Sequence, residues 1–355
     1  MAGLRQMVGE WKRTKQSGRA AAKGQCMAFA AKILSRWPER PYADLHRTEA
    51  RSDDMLPLLA ELYEASLVRT YLRKVLATDA TQDPGQELCG LCERHGWLTF
   101  REELMHVIAT TSNETVVRNA RLIEQLSLFR GETRKHHALC GPLAVQMMLA
   151  VERWEKERID TDWRATKVDR SELLSRLVRA LNACGEVDLL ERLVRHILEH
   201  SKAYPLKSVQ MPALTALHPW LIHNLKEPNK PLAHWLDACH EELESRAQRV
   251  PVKPGDWRRP SVLSCECADC SELADFLKEP GERVHRFSVR KERRRHLHEM
   301  VDRHKCDVDH VTERRGRPYT LICKKNTASY LRSIGSHQKV LDHLSEVRSM
   351  QKQFC

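Results

Sequence analysis

The sequence predicts a mainly α protein: an irregular α-solenoid of helix pairs, followed by a small α+β, Cys-rich module with one β-hairpin. Three observations predict it. Glycine is scarce, at 14 of 355 residues, where roughly 7% is usual, and Leu, Ala, Glu and Arg favour helices over a turn-rich β-protein. Through residues 51–248 apolar side chains recur three and four positions apart, which is the period of one helix face. Beyond a proline-rich stretch that period gives way to a cysteine cluster, a basic helix and two alternating segments. At roughly 150 residues per domain, 355 residues suit two or three domains.

The elements follow in chain order. Residues 1–50 are a basic N-terminal segment; seven Lys or Arg against Glu10 stand in its first 32 positions. The helical-repeat region, 51–248, opens with the stripe Leu56, Leu59, Leu62 and Tyr63, followed by Leu67, Tyr71, Leu72 and Val75. Leu104, Val107 and Ile108 continue it, then Val116, Ala120, Ile123 and Leu126. The clearest helix begins at Asp169, with Glu172 three positions on as a capping box, and Gly185 stops it in the left-handed conformation. Leu190, Leu193, Val194 and Ile197 mark its partner across a short turn, which makes an αα-hairpin. Residues 249–264, with three prolines and a glycine, read as an extended linker. The remaining 265–355 form the Cys-rich basic module. Helices are expected at 271–277, 289–304 and 327–352, and strands at 307–312 and 319–325 around the turn signal RRGRP.

The strongest chemical signal is Cys265-Glu266-Cys267-Ala268-Asp269-Cys270. Cys267 and Cys270 have C-x2-C spacing, with which a tight turn brings two sulfurs to one tetrahedral ion. Downstream stand His296, His298, His304, Cys306, His310 and Cys323. Of these, Cys306 and His310 have the local spacing of a second ligand pair. The metal expectation is therefore structural zinc on Cys265, Cys267, Cys270, Cys306 and His310; the alternative is packed thiols at a helix start. A metal would stabilise a module whose two-stranded hairpin is marginal alone. Cys89 and Cys92, also at C-x2-C spacing, lie one helical turn apart and read as core.

The net charge of +11 is unevenly placed: the first 32 residues carry +6 and the last 75 carry +9, which leaves a middle of −4. Arg286, Arg290, Lys291 and Arg294, with Arg295 beside them, fall at helical spacing. That face suits a phosphate backbone or an acidic protein surface; the alternative is a solvated face paired with Glu292 and Glu299. KERRRH also resembles a nuclear-import signal. No run reaches the roughly 18 apolar residues of a membrane helix, and the apolar stretch 26–31 is too short for a secretory signal. An intracellular chain, cytoplasmic or nuclear and without a membrane partner, is expected; there, clustered cysteines suit metal better than disulfides. Hydrolase, phosphate-loop and zincin motifs are absent. His240 and Glu242 match an iron-ligand pattern by letter only, because i and i+2 diverge on a helix. No catalytic residue is assigned.

The segments CECADCSELADFLKEP, VHRFSVRKERRRHLHEMVDRH and DHVTERRGRPYTLICKK, with LCERHGWLTF and PVKPGDWRRPSVLS upstream, resemble the C-terminal region of large proteins that begin with a 2-oxoglutarate/Fe(II) dioxygenase (prolyl-4-hydroxylase-like) domain. The resemblance spans about residues 85–345 and is most specific over 251–330. It implies helices followed by the Cys-rich module, without the dioxygenase domain, so iron and 2-oxoglutarate are not expected in this chain. The expected function is a non-catalytic binding scaffold for nucleic acid or an acidic protein. Its alternative is an accessory region that supports a dioxygenase domain.

Overall fold

A computed structural model describes residues 2–37, 55–79, 83–129, 134–159, 168–225 and 227–354. Residues 38–50 of the expected basic N-terminal segment lie outside the described residues. The chain is mainly α, as expected, and forms two compact units. One comprises Met1–Asp237 with Met350–Cys355; the other is Ala238–Ser349.

The first unit is built from α1 (Ala2–Arg13), α2 (Gln16–Ser35), α3 (Met55–Leu62), α4 (Ala65–Tyr71), α5 (Gly85–His95), α6 (Arg101–Ala109), α7 (Val116–Ser127), α8 (Arg134–Ile159), α9 (Arg170–Cys184), α10 (Val187–Glu199), α11 (Met211–Asn224) and the first half of α12 (Lys230–Ala247). The predicted stripes are the buried faces: Leu173, Leu174, Leu177 and Leu181 on α9, and Leu190, Leu193, Val194 and Ile197 on α10. Cys89 and Cys92 are buried in α5, as their spacing predicts, and burial pushes both thiols up to about 12. At the start of α9 the Asp169 carboxylate accepts from the Ser171 and Glu172 amides at 2.9 and 3.1 Å. At its end Gly185 has φ 72°, and the Glu186 amide donates back to the Leu181 carbonyl at 3.0 Å. Those two devices set the length of α9 and turn the chain into α10.

Buried polar groups lock the helices in register. Glu124 on α7 is 4% exposed and accepts from Arg176 at 2.6 Å and Arg179 at 3.1 Å, both on α9. Arg179 also donates to the Ala216 carbonyl of α11 at 2.6 Å. A second chain of bonds starts at the fully buried Trp235, whose indole N–H donates to Gln210 at 2.8 Å. Gln210 donates to the Tyr204 carbonyl, and the Tyr204 hydroxyl donates to Glu155 on α8 at 2.6 Å. Glu155 also bonds His196 on α10.

The second unit contains the second half of α12, residues 249–264, and α13 (Ala268–Lys278), β1 (Val284–Ser288), α14 (Lys291–Arg303), β2 (Val308–Glu313), β3 (Thr320–Lys325) and most of α15 (Ala328–Phe354). The sheet is antiparallel with order β1–β3–β2. Ser288 and Glu313 both pair with Thr320, one on each side of β3. Leu273 and Phe276 of α13, Phe287 of β1, Leu297 and Val301 of α14 and Leu321 of β3 share one core. Residues 249–264 form no helix or strand, yet they are tied down: the buried Arg259 donates to the carbonyls of Asn326 at 2.7 Å and Asp256 at 2.8 Å. Strand β1 was not anticipated. It is an edge strand of five residues with one buried side chain, Phe287, too short and too polar to show an alternating pattern.

Removing the Asp169 cap by Asp169→Ala should destabilise the first unit by about 1 kcal/mol. The measurement is the urea midpoint of the full chain, and Asp169→Asn should retain most of the stability.

Candidate metal centre

Three thiols and one imidazole converge at the start of α13. Cys265 and Cys267 lie on the segment that enters the helix. Cys267 is its N-cap residue in an extended conformation (φ −66°, ψ 161°), and Cys270 is in the first turn. His296 comes from α14, which packs on α13. One donor atom from each of the four lies within 4.8 Å of every other. His296 Nε2 is 3.2 Å from Cys270 Sγ and 3.6 Å from Cys267 Sγ. A tetrahedral ion with zinc–sulfur bonds near 2.3 Å and zinc–nitrogen bonds near 2.0 Å sets S···N edges of roughly 3.6 Å. The four side chains therefore have the donor chemistry and the spacing to hold a metal ion of zinc's size.

Helix α14 holds this geometry at three heights. Arg293 binds the buried Asp269 carboxylate through Nε at 2.6 Å and through Nη2. His296 sits one turn on. His304, just past the helix end, accepts from the Ser264 amide at 3.2 Å and so anchors the residue before Cys265. The Cys270 amide is the main cause of a lowered Cys267 thiol, at about 7. Burial raises Cys270 to about 12, with the neighbouring thiols adding to the effect. Of these two thiols, Cys267 is the more readily ionised. A bound cation would supply the charge that lets its buried neighbour follow. Four protein donors fill a tetrahedral shell, leaving no open position for substrate or water. That is the pattern of a structural site.

The structure corrects the expected second ligand pair. Cys306 does not join the three thiols; it is 8% exposed, in the apolar core beside Cys323. His310 does not join them either. It faces α14 from β2, with its Nδ1 2.5 Å from His298 Nδ1 and its Nε2 3.1 Å from Asp302. The reason is helical geometry: His296 and His298 are two positions apart, about 200° around the axis. His296 reaches the thiols while His298 meets the sheet. The fourth donor is missed by local spacing because it belongs to a neighbouring helix, 29 positions from Cys267.

The basic residues are also redistributed. Arg286 is not on the helix but on β1, where it pairs with Glu313 of β2. Arg294 is 8% exposed; its Nη1 donates to the carbonyls of Val289 at 2.6 Å and Tyr319 at 3.0 Å. Arg295 lies 3.5 Å from Glu299. Arg290 and Lys291 are exposed and have no carboxylate partner among the described residues. The expected single face is thereby divided between internal bonds and solvent.

No family model, curated protein or solved structure matches this chain. No helix among the described residues is long and apolar enough to cross a membrane.

Two measurements follow from the site. Cys306→Ser and His310→Gln should leave bound metal unchanged, whereas His296→Ala should lower it, as read by elemental analysis of the full chain. Separately, His285 of β1 bonds Glu282 at 2.7 Å and Glu272 of α13 at 2.8 Å. Burial disfavours its charged form, but the two carboxylates outweigh that and hold its pKa above 6.5. A raised folded pKa stabilises below the unfolded value, and the gain is lost as pH rises through the folded one. His285→Gln should therefore destabilise the chain at pH 5.5 and converge with wild type at pH 9, measured by urea melts at both values.

Proposed function

We propose that residues 238–349 act as a non-catalytic binding module held together by a structural zinc ion, and that their basic surface receives an acidic partner. The convergence of Cys265, Cys267, Cys270 and His296 carries this reading. Thiolate and imidazole donors suit zinc among the common intracellular metals, and a closed tetrahedral set suits a structural role. The location supports it as well. The segment before α13 has no regular structure, and a three-stranded sheet with a short edge strand leaves little core. An ion at this point would join that segment to α14 and stabilise both. The stretch where the sequence resemblance is most specific, 251–330, lies within this module, and the resemblance implies that it lies outside the dioxygenase domain.

The test is metal content and its consequence. The full chain, purified with reduced thiols, should hold about one zinc. Chelation should lower its melting midpoint by roughly 10 °C and expose residues 249–310 to protease. Cobalt should give the visible absorption of a tetrahedral thiolate site, and Cys267→Ser or His296→Ala should weaken it. A chain that takes up neither metal, with intact thiols and an unchanged midpoint, would overturn the reading.

A further inference from the structure

We infer that the end of the sheet formed by the β1–α14 junction and the β2–β3 turn is a binding surface for the phosphate backbone of duplex nucleic acid. Its contacts would come from Arg290, Lys291, Arg314, Arg315 and Arg317. The inference deepens the reading of this unit as a binding module, but it does not depend on which metal the module holds.

The argument starts from strand register. Ser288, the last residue of β1, pairs with Thr320, the first of β3, and Thr320 pairs on its other side with Glu313, the last of β2. The turn 314–319 and the residues after Ser288 therefore leave the sheet at the same end. Arg290 and Lys291 begin α14 there. Arg294 ties the two segments together by bonding the carbonyls of Val289 and Tyr319, with its guanidinium 5.4 Å over the Tyr319 ring. Gly316 turns the chain with φ 77°, so that Arg314, Arg315 and Arg317 share one tip. The two segments are more than 20 positions apart in the chain, and strand register brings them to one end of the sheet.

Charge supplies the second half. All five side chains are exposed, and none has a carboxylate partner among the described residues. The nearby acids are engaged or turned elsewhere. Glu313 holds Arg286. Glu292 lines the depression over Cys265, Cys267 and His296. Uncompensated cations on one rigid end are the chemistry that displaces counterions from a polyphosphate. Tyr319 is the aromatic residue of this end, and Arg294 covers it. A row of stacking rings for single strands is therefore not offered here, which favours a duplex over unpaired bases.

The probe is a random 20-base-pair DNA duplex titrated with the full chain, followed by fluorescence anisotropy between 50 and 200 mM NaCl. Five phosphate contacts should give a slope of about −4.5 in log K against log salt, at roughly −0.9 per contact. Arg314→Glu/Arg315→Glu/Arg317→Glu should cut affinity at least tenfold at 50 mM salt and reduce the slope to about −1.8. Lys202→Glu/Lys207→Glu/Lys253→Glu changes net charge equally and should have little effect. Zinc is measured on every sample; a variant that keeps its metal but loses the duplex separates this inference from the zinc reading. Absence of binding at 50 mM salt, or equal losses in both triple variants, would overturn the inference. Tighter binding of poly-glutamate with the same dependence on Arg314, Arg315 and Arg317 would overturn it in favour of an acidic protein partner.

Discussion

The second unit depends on one helix having two unlike sides. Arg293 and His296 of α14 turn to α13, where they meet Asp269 and the thiols. Arg294, Leu297, His298 and Val301 turn to the sheet and its core. Each side constrains the other, because a helix cannot rotate to improve one set of contacts without losing the second. A slip of one residue would carry His296 about 100° away from the cysteines. It would also withdraw Arg294 from the Tyr319 carbonyl. The thiol cluster and the shape of the sheet end are thus linked through a rigid element, although they share no ligand.

In the first unit the same work falls to buried carboxylates. Apolar stripes specify that α7, α8, α9 and α10 have inward faces, but leucines tolerate small sliding movements. Glu124 and Glu155 do not. Glu124 has two arginine partners on α9. Glu155 is opposed by burial, yet its bonds to His196 and Tyr204 hold its pKa below the ordinary value. A buried carboxylate left without these partners carries a large desolvation penalty, so any packing that separates α8 from α10 is disfavoured. Specific register comes from the polar minority of an otherwise apolar interior.

This division explains what could be read from the sequence. Period and capping are local, so α9, its Asp169 cap, its Gly185 stop and the strands on either side of RRGRP were legible. The three cysteines were legible because they lie within six positions. His296 was present among the candidate ligands, but its selection over Cys306 and His310 depends on which side of α14 faces α13. Strand β1 failed for a related reason. Its pairing with β3 is a tertiary fact, and five residues with a lone buried Phe287 carry no independent signal.

The formal charge of the module is a poor guide to the charge it presents. Arg259, Arg294 and Lys325 are buried and bond carbonyl oxygens; Lys325 Nζ donates to Glu279 at 2.5 Å and lies over the Phe276 ring. Arg286 and Arg293 answer carboxylates. These cations hold the fold together and are withdrawn from any partner. What remains outward is concentrated where the strand ends bring two segments together, and Arg294, itself unable to reach a partner, is the residue that keeps them there. A basic sequence becomes a basic surface only after such internal bonds have been subtracted. In this unit the remainder is local and is directed from one end of the sheet.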